Sequence, residues 1–193
     1  MLQKSVNPKG CRVCGSLFAP VRAMQKVCGP MCALELGRAK RLKAEKTAQA
    51  QDKRETKAKL VKMKTRGQWI AETQAIFNTY IRLRDQLAGH PCISSGRPLD
   101  WSGNGVDAGH FRSRGSAPHL RFDERNCHAQ SKQENRYASG NATGYRVGLI
   151  ARIGLEAVEA LEADQAPRKW SIDDLKSIKA EYAAKAKTLG TQL

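Results

Sequence analysis

Four cysteines near the start of the chain constrain it more than any other feature. Cys11-Arg-Val-Cys14 and Cys28-Gly-Pro-Met-Cys32 form a C-x2-C pair and a C-x3-C pair separated by thirteen residues. Two sulfur pairs at this spacing supply the four thiolates of a tetrahedral structural zinc, one pair from a tight knuckle eased by Gly15, the other at a helix start near Cys32. A site closed by four sulfurs has no open position, so its metal holds the fold and catalyses nothing. The reading needs reduced thiols. Met1-Leu2-Gln3-Lys4 lacks the apolar region and cleavage site of a secretory signal, so the expectation is a reducing cytoplasm, where paired cysteines serve metals more often than disulfides. No apolar run approaches the roughly 18 residues that a membrane span requires.

Charge is placed unevenly. Of 34 Lys and Arg against 18 Asp and Glu, residues 1–66 hold 17 against 4, so the first third carries +13 and the rest +3. Such asymmetry is the footprint of a chain that meets a polyanion, because phosphate contacts release condensed counterions. Nucleic acid is the leading partner, with a solvated basic tail as the plain alternative. From Arg38 to Arg66 there is no Gly or Pro, and good helix formers dominate, which predicts one helix of roughly 44 Å. Leu42, Leu60, Val61 and Met63 are too few for a buried stripe. The stretch reads as a phosphate-contacting arm with Lys40, Arg41, Lys43, Lys53 and Arg54 as contacts, or equally as a frayed charged linker.

Trp69, Ile70, Ile76, Phe77, Tyr80, Ile81 and Leu87 recur at helical spacing and open the core, with Gly89-His-Pro91 as the stop. A loop follows to Gly105, then a strand over 106–112, a turn at 113–116 and a second strand over 118–122. Asp123 reads as the N-cap of a helix running to about Ala138. Two amphipathic segments split near Gly154, and Ser171 and Asp174 form the capping box of a last helix, which is also a candidate dimer surface. Expected boundaries are therefore 1–37 for the knuckle, 38–66 for the arm and 67–193 for the core.

In this strand, strand, helix order, His110 lies near the end of the first strand, Asn126 stands sixteen residues on at the helix entrance, and Asn135 lies nine further. The spacing resembles that of HNH-type ββα-metal nucleases. There an imidazole takes a proton from water, a carbonyl orients it, and an oxygen or nitrogen ligand presents a divalent ion to the scissile phosphate. His110 and Asn126 are the catalytic candidates and Asn135 the metal ligand. The same triplet would also arise from a turn and a helix cap. Asp107 is the nearest carboxylate, roughly 6 to 7 Å behind position 109, and reaches the ion only if a bulge at Gly109 closes that gap. Arg112, Arg114, Arg121 and Arg125 cluster around the hairpin as phosphate contacts. His128 reads as a surface residue or a second ligand, His119 and His90 as structural, and Cys127 as a half-buried, inert thiol.

The stretch from Asp107-Ala-Gly-His-Phe-Arg-Ser-Arg-Gly through Leu120-Arg-Phe-Asp-Glu-Arg-Asn to Tyr145-Arg-Val-Gly-Leu-Ile closely resembles the NinG (Rap) recombination nucleases of lambdoid phages. So do the cysteine motif, the basic arm, Arg82-Leu-Arg-Asp-Gln, Pro91-Cys-Ile-Ser94 and Trp170-Ser-Ile. The resemblance implies cleavage of branched recombination intermediates with Mg²⁺ or Mn²⁺, in the cytoplasm of a bacterial host, alongside phage or host recombination proteins. His110, Asn126 and Asn135 match the three motif positions. It also implies a second cysteine set around the hairpin. Here those positions are Cys92, Ser95, Ser131 and Glu134, so one structural zinc is expected. The wider pattern often has a metal-binding Asp or His where this chain has Gly109.

The expected architecture is α+β: a four-cysteine zinc knuckle, a long basic helix, and a mainly helical core holding one HNH-like hairpin. Two rivals remain open at this stage. One is a nucleic-acid-binding module with an inert hairpin, and the other an RNA-binding protein, since basic charge alone does not separate RNA from DNA.

Overall fold

The computed structural model describes residues 7–192. The N-terminal segment read above for a secretory signal, with the first residues of the expected knuckle module, lies outside them. The chain divides into two compact units, one ending at Met63 and the other beginning at Lys64.

The first unit is a small knuckle on a long helix. Strand β1 (Lys9–Gly10) pairs antiparallel with β2 (Leu17–Phe18). The turn between them is closed by the Gly15 amide on the Cys11 carbonyl at 3.0 Å, with Gly15 at φ +77, a conformation that costs glycine little. Helix α1 (Pro30–Met63) starts with proline at its first position, where a missing N–H leaves no bond unmade. It runs 34 residues, about 51 Å, and none of its residues is buried. It therefore starts eight residues before the expected arm, carries Gly37 within it, and ends three residues sooner.

In the second unit, helix α2 (Arg66–Leu87) begins at a capping box in which the Thr65 hydroxyl accepts from the Gln68 amide while Gln68 reaches back to the Thr65 amide. Its Trp69, Phe77, Tyr80 and Ile81 pack against Trp170, Leu175 and Tyr182 of the C-terminal region. There α5 (Ile172–Gly190) opens at the Ser171–Asp174 capping box that the sequence predicts. A second core gathers Ile93, Ala117 and Leu120 with Tyr145 and Leu149 of α3 (Ala142–Ile153) and Val158 and Leu161 of α4 (Leu155–Ala163). Gly154, at φ +86, makes the expected break between those two helices.

The hairpin corrects the sequence reading. Strand β3 (Val106–His110) starts where expected but ends two residues before 112, and its partner is β4 (Cys127–Ser131), in regular antiparallel register from Val106 opposite Ser131 to His110 opposite Cys127. The expected strand at 118–122 is instead a 3-10 turn, Pro118–Leu120. Proline has no amide for a ladder, and Leu120 and Phe122 enter different cores. Asp123 does cap, accepting from the Arg125 amide at 2.8 Å, but only a single turn, Glu124–Asn126. After β4 comes one π-helical turn, Gln133–Tyr137, rather than a helix from 123 to 138. The order strand, strand, helical turn therefore survives with different residues in its second and third members.

Candidate functional site

In the knuckle, the Cys11, Cys14, Cys28 and Cys32 sulfurs all lie within 4.8 Å of one another. Cys14 Sγ is 3.5 Å from Cys28 Sγ, and Cys28 Sγ is 3.6 Å from Cys32 Sγ. A tetrahedral zinc with sulfurs at about 2.3 Å needs S–S edges of roughly 3.8 Å, whereas a disulfide needs about 2.05 Å. The quartet fits the metal, and all six cysteines are free. Cys11 is drawn down to about 6, chiefly by the Cys14 amide and further by those of Val13 and Cys28. Cys32 is pushed up to about 12, first by Cys28. Thiols bunched this closely cannot all ionise without a cation among them.

The loop at 92–97 repeats that knuckle with a single sulfur, that of Cys92. The Gly96 amide closes on the Cys92 carbonyl at 2.9 Å, as Gly15 does on Cys11, and Gly96 also has positive φ, +67. The Ser131 amide donates to Cys92 Sγ at 3.4 Å, as the Cys28 amide does to Cys11 Sγ at 3.4 Å. The Glu134 amide reaches the Ser131 hydroxyl at 3.3 Å. Burial raises the Cys92 thiol, but the Ser95 hydroxyl and Ser131 amide outweigh it and bring it to about 7. Hydrogen bonds thus close around Cys92, Ser95, Ser131 and Glu134 what thiolates and metal would otherwise close.

On the hairpin, His110 ends β3 on the face turned toward α2, its ring 6.4 Å from that of Phe77. His110 Nε2 lies 3.0 Å from the Arg121 carbonyl. A carbonyl only accepts, so Nε2 carries the proton and Nδ1, which is 3.7 Å from Cys127 Sγ, keeps the lone pair. Burial, with the Arg114 and Arg121 charges adding to it, holds the imidazole down to about 4 against that carbonyl, so it is neutral at pH 7. The Asn126 side chain makes no hydrogen bond to His110; its partners are Arg112 and Leu120. It is fully buried and pins the intervening loop: Oδ1 accepts from the Arg112 amide at 2.8 Å, while Nδ2 donates to the Arg112 and Leu120 carbonyls at 3.0 and 3.1 Å.

Asp107 and Asn135 do come together, Asn135 Nδ2 donating to Asp107 Oδ2 at 2.9 Å, and Arg136 caps the same carboxylate at 2.8 Å. Burial works to raise the Asp107 carboxyl, but these bonds from Arg136 and Asn135 prevail and hold it below the usual range. The ladder runs through Gly109 without the bulge that would have carried Asp107 forward. The space beside Gly109 belongs to Gln130, whose Oε1 occupies the place where a Cβ would sit. A side chain at position 109 would collide with that glutamine. Asp107, Asn135 and Arg136 line a depression of about 390 Å³ together with Asn78, Arg82 and Arg114; His110 does not line it.

Of the four expected phosphate contacts, Arg112 and Arg125 are engaged internally. Arg112 donates to the Leu161 and Asp164 carbonyls and Arg125 pairs with Asp123 at 2.7 Å. Arg114 and Arg121 remain without a carboxylate partner among the described residues. His128 is a correction: it is no surface residue at a helix entrance but lies buried in β4, beside Asp85 and 2.9 Å from Arg84 Nη2. Cys127 is fully rather than half buried, and burial pushes its thiol up. The sequence reading missed Asn78 and Arg82. The usable signal was a polar i, i+4, i+8 stripe, Gln74, Asn78 and Arg82, on a helix whose other face is apolar.

A four-cysteine knuckle whose sulfurs could hold a zinc, on a basic helix ahead of a separate α/β unit built on a two-stranded hairpin, defines a class: small, strongly basic proteins with a four-cysteine knuckle. No helix among the described residues is long and apolar enough to cross a membrane. Within that class the chain belongs to the NinG family, whose profile, described as Bacteriophage Lambda NinG protein, matches residues 3–192. It is similar to protein ninG of Enterobacteria phage H19B, 41% identical over 192 residues that cover 93% of this chain and 92% of that one. Protein ninG of Salmonella phage P22 is 41% identical over 191 residues, covering 91% and 90%. That of Escherichia phage lambda is 41% identical over 191 residues, covering 91% and 89%. No solved structure matches the chain.

Proposed function

We propose that this chain is a divalent-metal-dependent endonuclease that hydrolyses phosphodiesters in branched DNA recombination intermediates, its knuckle and α1 gripping phosphates while the hairpin unit cuts. The observation that carries this reading is the carbonyl-held imidazole. With Nε2–H donated to Arg121 and a pKa of about 4, His110 is a neutral base with its lone pair on Nδ1. It takes a proton from water as that water attacks phosphorus and the P–O3′ bond breaks. Asn126 is a positioning residue: its three side-chain bonds fix the loop that presents the Arg121 carbonyl.

The Asp107 carboxylate and the Asn135 amide oxygen suit Mg²⁺ or Mn²⁺, hard ions that bind through one or two protein oxygens and keep several waters. When bound there, the ion supplies Lewis-acid stabilisation of charge on the phosphate and on the leaving oxygen. Asp107 also orients the Asn135 amide, because accepting from Nδ2 leaves Oδ1 free as a ligand. Arg136 must swing off Asp107 for this to happen. Its side chain is 59% exposed, which leaves it room to move.

The Arg136–Asp107 pair also favours a second reading, a binding module whose hairpin is inert. Labelled four-way, three-way and linear duplexes, incubated with and without Mg²⁺ or Mn²⁺, separate the two. The nuclease reading expects metal-dependent cutting of the branched substrates, reduced about 10²- to 10⁴-fold by His110→Ala with junction binding retained. Cutting by His110→Ala at the parental rate, or no cutting by the parent, rejects it.

A further inference from the structure

The arginines of the second unit are held in different ways. Arg66, Arg97 and Arg168 lie apart from the hairpin cluster, Arg66 bonded to the Trp170 carbonyl and Arg168 stacked on the Trp170 ring. Arg84, Arg125, Arg136, Arg146 and Arg152 each pair with a carboxylate, and Arg112 is held by backbone carbonyls. Among the described residues no carboxylate pairs with Arg82, Arg114 or Arg121, yet these three lie together beside the hairpin. Arg121 Nη2 donates to the Arg114 carbonyl at 3.3 Å and Nη1 to Gln74 Oε1 at 3.3 Å. Burial and the nearby Arg114 charge both work against the Arg121 charge. Like charges gathered without a counterion raise the free energy of the empty arrangement, and an anion between them lowers it.

The orientation of the wall is set from within. Gln74 Nε2 donates to Asn78 Oδ1 at 2.7 Å, so the Asn78 amide hydrogens are left to face outward. The side chains of Arg82, Arg114 and Asn78 therefore offer donors to the depression, which they line together with Asp107 and Asn135. A phosphodiester's non-bridging oxygens are acceptors only, which makes the two sets complementary. We propose that Arg82, Arg114 and Asn78 form a phosphodiester-binding site that holds the scissile phosphate against the Asp107–Asn135 pair. The assignment rests on the nuclease reading for the fate of the phosphate, but not for the anion site itself.

The test uses the full chain with Arg82→Gln, Arg114→Gln and the double variant, and Arg82→Lys as the charge-keeping control. All should keep the parental melting temperature, since neither guanidinium is ion-paired and the one side-chain bond, Arg82 Nη2 to the Thr79 hydroxyl, is long at 3.4 Å. Each single Gln variant should lower kcat on a four-way junction about 10- to 100-fold, with Kd for the junction little changed because most phosphate contacts lie elsewhere. Lysine should recover part of the loss. Independently of cleavage, inorganic phosphate should protect Arg82 and Arg114 of the parent from phenylglyoxal, read by peptide mass spectrometry. A parent that cuts while the double variant cuts equally fast overturns the phosphate site and leaves the nuclease reading standing. A parent that does not cut removes the nuclease reading, and the anion site then falls if phosphate protects neither arginine.

Discussion

Gly109→Ala tests the packing that gives this hairpin its form. A Cβ at that position overlaps Gln130 Oε1 and stands 3.0 Å from its Cδ and 3.1 Å from its Cβ. A surface glutamine would swing aside cheaply, but Gln130 is fully buried and tethered, its Nε2 donating to Ser94 Oγ at 2.9 Å and to the Gly140 carbonyl at 2.8 Å. Moving it breaks both bonds, at about 1 kcal/mol each or more if a buried group is left unpaired, and the added methyl overpacks the site by about 1 kcal/mol or more. The expected destabilisation is about 2–4 kcal/mol. In thermal unfolding that is a fall of roughly 6–16 °C for a unit of this size. Because the two residues touch, Gly109→Ala combined with Gln130→Ala should cost less than the sum of the two singles. A Gly109→Ala chain within about 0.5 kcal/mol of the parent, or strictly additive costs in the double variant, would refute the claim that Gln130 excludes a side chain at 109.

Elemental analysis of the purified chain should give one zinc, with Cys14→Ser losing it while the second unit's melting transition stays in place. Stability should decline as pH falls from about 6.5 towards 4, because unfolded His110 binds a proton there that the folded imidazole, at about 4, refuses. The loss from this group is on the order of 3 kcal/mol, and urea titrations across that range should fall less steeply in His110→Gln, with a remainder from His128 and His90, which burial also holds down. DNA affinity should fall steeply with salt, and replacing Lys40, Arg41, Lys53 and Arg54 by Gln should reduce the log-log slope by about 0.9 for each phosphate no longer neutralised. An unchanged slope would put α1 outside the interface.

What was legible in the sequence was local. The cysteine quartet, the Ser171–Asp174 box and the stop at Gly154 are set by residues near one another in the chain. Strand β4 was illegible because Cys127-His-Ala-Gln-Ser131 alternates only small apolar residues with polar ones and has no β-branched or aromatic member. It is buried on both faces, and its polar groups find their partners far away in the chain: the Ala129 amide at Asp85, the His128 ring at Arg84 and the Gln130 amide nitrogen at Ser94 and Gly140, while Gln130 Oε1 has no partner among the described residues. Distance in sequence also decided the arginines. Arg82 and Arg84 stand two apart on one helix, yet only the fold brings Glu124 and the Cys127 carbonyl to Arg84 and leaves Arg82 without a carboxylate. Arg112 looked like its neighbour Arg114 until α4 folded its C-terminal carbonyls onto the guanidinium.

The repeated knuckle makes the two units unequal under stress. The turn at Cys11–Gly15 has a shape that a thiolate-bound metal would hold, so chelation or oxidation of its sulfurs removes the restraint. The same turn at Cys92–Gly96 is held by amides and hydroxyls, with its one sulfur-bearing residue only 1% exposed. Zinc starvation or an oxidative burst should therefore dismantle the first unit and spare the second. A chain damaged in that way would keep its folded hairpin while losing its knuckle, a failure that falls on one unit and not on the other.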